Sequence, residues 1–211
     1  MAGTPSVRAV ASSSASTASP IRTGRGRSRV ARTQGRRRTV LSEGRHAITL
    51  DFKNFSVEID AEATRRAYES LPRTGEKCGC VGCRNFTLAI GDALGEGGRR
   101  FFTSVGIDDP AKATESYVNF AQKDETLCYG GWYHLCGRIE RRVEAVPDVT
   151  AAEWGEARLL HVSSLLYVFF RDGDSIIGRE AAFRDAAIVQ MEFVAEAVPW
   201  VMDGPNPYLD E

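Results

Sequence analysis

The sequence predicts an α+β domain whose sheet is mainly antiparallel, built from an N-terminal hairpin plus C-terminal strands, with central helices on one side. Three observations carry this. Alternating apolar stretches open and close the globular part of the chain, helix-period stripes fill its middle, and the strands at each end lie close enough in sequence to pair through tight turns. Composition agrees: 211 residues with 43% apolar, 26% charged and 9% aromatic side chains exclude a collagen-like repeat, a coiled-coil rod and wholesale disorder.

The formal net charge of −1 conceals a division. Residues 1–44 hold nine arginines, no lysine and one acid, Glu43, and so carry +8, which leaves −9 for the remaining 167 residues. The arm is rich in serine and almost free of large apolar side chains, so it buries too little surface to offset the entropy of ordering and is expected to be disordered. It reads as a solvated extension, as an Arg- and Ser-rich organelle transit peptide, or as a nucleic-acid tether. The tether would act through Arg25, Arg27, Arg29, Arg32, Arg36, Arg37 and Arg38. No aromatic residue interleaves these arginines, which removes base stacking from that reading. Residues 45–203 are long enough for one α+β domain with its own core, followed by a short acidic tail at 204–211.

No apolar run approaches the roughly 18 residues that span a bilayer, so no membrane role is expected. Five cysteines is an odd number, three lie within six positions, and no secretory leader precedes them. A reducing, cytoplasmic compartment follows, or an organelle if the arm is a transit peptide.

Taken in order, Ile48, Leu50 and Phe52 alternate with polar residues, as do Phe55, Val57 and Ile59, giving a hairpin turned at Lys53-Asn54. Asp60 stands at an N-cap position before a short helix that Pro72 stops. Phe86, Ile90, Ala93 and Leu94 form a helical stripe ending near Gly95–Gly98, and a further stretch through Phe101, Phe102 and Val105 stops at Gly106. Asp108-Asp109-Pro110 reads as helix capping, and Ala113, Tyr117 and Phe120 follow at helical spacing, predicting a third central helix. In the segment 132–139 Tyr133, Leu135 and Ile139 share one strand face, leaving Trp132, His134, Cys136 and Arg138 on the other. Leu127–Tyr129 is expected to pair with it through a Gly130-Gly131 turn. Thr150–Glu153 has capping-box spacing for one more short helix. Ser164–Arg171 reads as a buried strand, and Val189, Met191, Phe193, Ala195 and Ala197 as the apolar face of a last one.

One segment holds concentrated chemistry. Cys78-Gly-Cys80-Val-Gly-Cys83 places three thiols in a glycine-rich loop that runs into the Phe86–Leu94 helix, whose N-terminal N–H groups favour thiolate. Three thiolates are most of a tetrahedral zinc site. The fourth ligand must come from elsewhere in the chain: His134 is favoured, Cys128 and Cys136 are alternatives, and His161 and His46 complete the candidates. Other readings of the same loop are a Cys80/Cys83 dithiol, an iron–sulfur cluster completed by Cys128 or Cys136, and small buried thiols at a turn. No nucleophile elbow, zinc-protease helix, phosphate loop or dinucleotide fingerprint occurs.

The segments CGCVGCRNF (78–86), GIDDP (106–110), GGWYHLCG (130–137) and QMEFVAEAVPW (190–200) together resemble an uncharacterised bacterial family that pairs a C-x-C-x-x-C-x-N-like loop with a Gly-aromatic-Tyr-His segment. The resemblance spans about 45–201 and implies one body domain and no particular reaction. The functional expectation is therefore a small metal-stabilised binding or interaction protein, with zinc on Cys78, Cys80, Cys83 and His134 and a protein partner. Whether the chain is an enzyme stays open, the alternatives being a zinc-dependent or dithiol enzyme at Cys80/Cys83 and a nucleic-acid-associated protein tethered by its arm.

Overall fold

The computed structural model describes residues 7–9, 47–52, 55–122, 125–141, 159–173 and 176–209. Its spine is one strand of sixteen residues, β5 (Thr126–Arg141). Antiparallel strands flank it on both edges. Along one edge lies β8 (Ile188–Pro199), followed outward by β7 (Leu166–Arg171) and β6 (Leu160–His161). On the opposite edge β4 (Glu115–Ala121) pairs with residues 127–132 and β3 (Phe55–Asp60) with residues 137–141. Beyond β3 come β2 (Ala47–Asp51), its hairpin partner, and β1 (Val7–Ala9), a short strand from the basic arm. The α+β class with an antiparallel sheet is what the alternation at both ends of the domain required.

Between the β4 and β3 pairings, residues 133–136 of β5 have no strand beside them on that edge. A buried backbone N–H without an acceptor is costly, so something must take the place of a strand. That element is helix α1 (Ala61–Glu69), which starts directly after β3 with Asp60 Oδ1 accepting from Ala63 N at 2.9 Å. The His134 N–H donates to Tyr68 Oη at 3.2 Å and the Cys136 N–H to Thr64 Oγ1 at 3.0 Å. The spacing makes this possible: four residues of helix rise ~6 Å and two residues of strand ~6.8 Å, so an i, i+4 pair of hydroxyls matches alternate strand amides.

On one face of β5, Tyr129 and Tyr133 join Phe193 of β8 in an aromatic layer. Helix α3 (Val81–Ala93) adds Phe86, whose ring centroid is 5.3 Å from Tyr129 and 5.7 Å from Phe193. Helix α4 (Gly95–Ser104) adds Phe102, 5.0 Å from Tyr133. The stripe read from the sequence is the buried face of α3: Phe86, Ile90 and Leu94 are all buried. On the other face Phe183, from a 3-10 turn at Ala181–Phe183, sits edge-on to His134.

Several elements differ from their sequence reading. Asp109 does cap and Pro110 does start a turn, but the helix stops after a single 3-10 turn, Pro110–Lys112, and 115–121 is strand β4. Here Tyr117 and Phe120, read as a helical stripe, are half exposed, while Ser116 between β4 and α3 is buried. Pairing with β5 outweighs the apparent spacing, as it does for β-branched and aromatic residues in general. Gly130-Gly131 is not a turn. Both glycines lie within β5, where a Cβ on Gly131 would stand 2.2 Å from the Glu115 carbonyl oxygen and one on Gly130 would meet the Tyr117 ring. Helix α3 does end just before Gly95, as its stripe predicts, but Gly95–Gly98 opens α4 instead of forming a loop, with Gly95 left-handed at φ +60°. In β8 the apolar alternation holds from Val189 to Ala195 and then shifts, because Ala197 has φ +53° and Val198 is the buried residue. A short helix not read from the sequence, α2 (Thr74–Cys78), precedes the cysteine loop.

The chain past residue 203 folds back, burying Asn206 and resting Tyr208 on the core. The turn at 53–54, the capping-box segment at 150–153 and the arginines at 25–38 lie outside the described residues. Among the described residues no helix is long and apolar enough to cross a membrane.

If α1 hydroxyls replace a strand, Thr64→Val and Tyr68→Phe should each lower unfolding free energy by about 1–3 kcal/mol, the cost of stranding a buried N–H. Urea unfolding measures this; a loss below about 0.5 kcal/mol for both would show that those amides find other acceptors.

Candidate metal centre

Cys78 ends α2, Gly79 reverses the chain in the left-handed conformation at φ +72°, Cys80 is the N-cap of α3, and Cys83 lies in its first turn. The left-handed residue favours glycine because a Cβ would be strained there. This short path brings the three Sγ atoms within 4.8 Å of one another. Thiolates on one tetrahedral zinc ion stand ~3.8 Å apart, from Zn–S bonds of ~2.3 Å, so small side-chain rotations suffice to close on an ion. Among the described residues this is the one place where three or more Cys, His, Asp or Glu ligand atoms converge.

The loop is held from both sides. Helix α2 is capped by Glu76, which accepts from Arg73 N at 2.9 Å, and Arg73 Nε in turn contacts Asp109 Oδ2 at 2.8 Å. Lys77 Nζ donates to the Ala113 and Thr114 carbonyls, both at 2.9 Å, and to Glu180 Oε1 at 3.0 Å. Gly75 N donates to Thr87 Oγ1 and that hydroxyl donates to Cys83 O, which ties α2 to α3. Helix α3 is anchored by Asn85, fully buried. Its Nδ2 donates to Tyr129 Oη and Pro199 O, its Oδ1 accepts from Val201 N at 2.8 Å, and Tyr129 Oη donates to Gly82 O at 2.9 Å. Thus the loop, β5 and the end of β8 meet at one amide side chain.

The three thiols are not equivalent. Cys78 and Cys80 are exposed and Cys83 is buried. Burial pushes the Cys83 thiol up to about 12, helped by its hydrogen bonds to Cys80 and Cys78, so it keeps its proton in the metal-free protein. Desolvation also acts against ionisation of Cys80. There it is outweighed by donors that face its sulfur: the Cys83 N–H at 3.4 Å, the Cys78 and Cys83 thiols and the Gly82 N–H. The Cys80 thiol is held below its ordinary value. Of the pair Cys80 and Cys83, Cys80 forms its thiolate the more readily.

The other sequence candidates sit elsewhere. His134 is buried within the sheet, its Nε2 3.2 Å from the Ile177 carbonyl, a geometry that puts the proton on that nitrogen. It is not part of the three-cysteine group. Burial depresses its pKa, only partly opposed by the Ile177 carbonyl. Cys128 is buried and accepts from Asn119 Nδ2 at 3.7 Å, with burial pushing its thiol up. Cys136 is buried over its own stretch of β5, and His161 lies exposed on β6 beside Tyr167. His46 is outside the described residues. Sequence reading passed over Lys77 and Glu180, and took in Asn85 only as the asparagine of the C-x-C-x-x-C-x-N-like loop, with no role. A signal existed only for Asn85, a poor helix former seated beside Phe86 on an apolar stripe.

Replacing Asn85 by Ala takes their Asn85 partner from the Val201 amide and the Pro199 carbonyl and leaves the Tyr129 hydroxyl its bond to Gly82 O. We expect a loss of about 2–4 kcal/mol in urea unfolding, together with weaker metal binding by the protein that remains folded. His134 gives a pH signature of known sign. Its folded pKa lies below the unfolded value of about 6.5, so below that pH the unfolded chain takes up a proton that the folded chain refuses, and stability falls. The melting temperature should drop between pH 7.5 and 5.5 by more in the native sequence than in His134→Gln; equal drops would show that His134 does not titrate on unfolding. Comparison with protein-family models, with curated proteins and with solved structures finds no match.

Proposed function

We propose that the protein binds a zinc ion through Cys78, Cys80 and Cys83, and that the ion locks the α2–α3 loop onto β4 to present a rigid surface to a protein partner. The observation that carries this is the convergence of three sulfurs on a loop clamped by Lys77 and Asn85. Thiolate donors select zinc and other soft or borderline ions over magnesium or calcium. The ion stabilises the folded chain by the free energy of its binding, since the unfolded loop does not hold the sulfurs together.

A second reading has its own support. Cys80, with its lowered pKa, its exposure and its two neighbouring thiols, has what an attacking thiolate of a dithiol needs. The two readings differ in what reduced protein contains. Native mass spectrometry and metal analysis of the reduced full chain should find close to one zinc per chain, lost in Cys80→Ser, with a rise in melting temperature on adding zinc back. Because binding must displace the Cys83 proton, affinity should rise with pH from 6 to 8. A reduced, folded, metal-free sample whose melting temperature ignores added zinc would leave the dithiol reading in its place.

A further inference from the structure

We infer that the metal's fourth coordination position is filled by a small molecule from solution, held by its cationic group in the cavity beside Cys78. This rests on the metal-binding reading of the three cysteines and names what completes that site.

Structural zinc sites are closed by four protein ligands, whereas sites that keep three protein ligands leave a position for water or a ligand. All five cysteines of the chain are among the described residues, and Cys128 and Cys136 are buried outside the group. Of the three histidines, His134 faces Ile177 and His161 is exposed on β6. The described part of the chain thus brings three sulfurs together and no fourth ligand.

Next to them is a cavity of about 320 Å³ at the sheet edge, between α2 and the segment that carries Glu180. Its walls include Lys77, Cys78, Glu115, Trp132 and Glu180, so Cys78 belongs both to the cavity and to the metal group. The volume suits a molecule of modest size. Its charge pattern selects the sign. The three Nζ donors of Lys77 are spent on Ala113 O, Thr114 O and Glu180, leaving it little to offer an anion. Glu115 is exposed at the rim, three thiolates on a divalent ion sum to −1, and the chain beyond residue 44 carries a formal −9. Trp132 in the wall adds an aromatic residue of the type that attracts ammonium or guanidinium groups. The ligand class is therefore a small amine bearing a metal-coordinating group, an aminothiol being the simplest member.

The test uses the full chain loaded with Co(II), whose visible bands report the donor set. Cysteamine and 3-mercaptopropionate carry the same donor and tails of opposite charge, and each is titrated against the native sequence and Glu115→Lys. Both thiols should shift the bands. The preference for cysteamine over 3-mercaptopropionate should fall by roughly tenfold or more in the variant, since two charges are reversed near one another at a surface; the ratio cancels the thiols' intrinsic acidities. Absence of any cobalt–thiolate absorption would sink the metal reading itself. Cobalt binding with bands unmoved by either thiol would mean that the chain closes the site by itself, and an unchanged ratio in Glu115→Lys would overturn the cationic ligand. Either of those two results leaves the metal reading standing.

Discussion

The main-chain amides of His134 and Cys136 in β5 are the constraint around which the molecule is arranged. They are buried, they face the edge where β4 has ended and β3 has not begun, and they must be satisfied. Thr64 and Tyr68 satisfy both from a helix that follows β3 with no connecting loop. This solution couples three parts of the fold. The β2–β3 hairpin sets where α1 starts, α1 fills the gap between β3 and β4 along β5, and β4 backs the cysteine loop through Ser116. Tyr68 gains a partner in return, since its hydroxyl, whose ionisation burial suppresses, accepts the His134 amide.

From this frame the cysteine loop inherits its geometry. Phe86 locks α3 into the Tyr129, Tyr133 and Phe193 layer, which is a matter of apolar burial and tolerates small displacements. Asn85 adds direction. One buried amide with three partners admits a single orientation of the first turn of α3 relative to Pro199 and Val201. The sulfurs of Cys80 and Cys83 ride on that turn, and Cys78 is brought to them by a helix of five residues whose own stability comes from Lys77, Thr74 and Arg73 rather than from length. The burial gradient across the three thiols follows from the same placement: Cys83 points toward Ser116 on β4, whereas Cys78 and Cys80 face outward.

Where a signal was local, the sequence carried it well. The hairpin at 47–60, the Asp60 cap, the α3 stripe and the strands at 166–171 and 188–199 all follow from a period and a cap within a dozen residues. The failures share one cause. Residues 113–120 have apolar side chains at a spacing that fits a helix, and Gly130-Gly131 looks like a turn, but each assignment is reversed by the other: the glycines admit the Glu115 backbone and the Tyr117 ring, and that close approach makes 115–121 a strand. Neither segment contains the information alone. His134 is the parallel case at the site, a histidine near two cysteines in sequence whose ring the fold turns to Ile177.

The sequence by itself determined the class of fold, the division into a basic arm and an acidic body, and the gathering of three thiols, because composition, periodicity and a six-residue loop are local properties. The tertiary structure alone decided that β5 runs unbroken through two glycines, that α1 stands in for a strand, that Asn85 aims the cysteine loop, and that Cys128, Cys136 and His134 remain apart from it. Those outcomes depend on which residues distant in the chain come within a few ångströms, and on the cost of leaving a buried polar group without a partner, which no short window of sequence records.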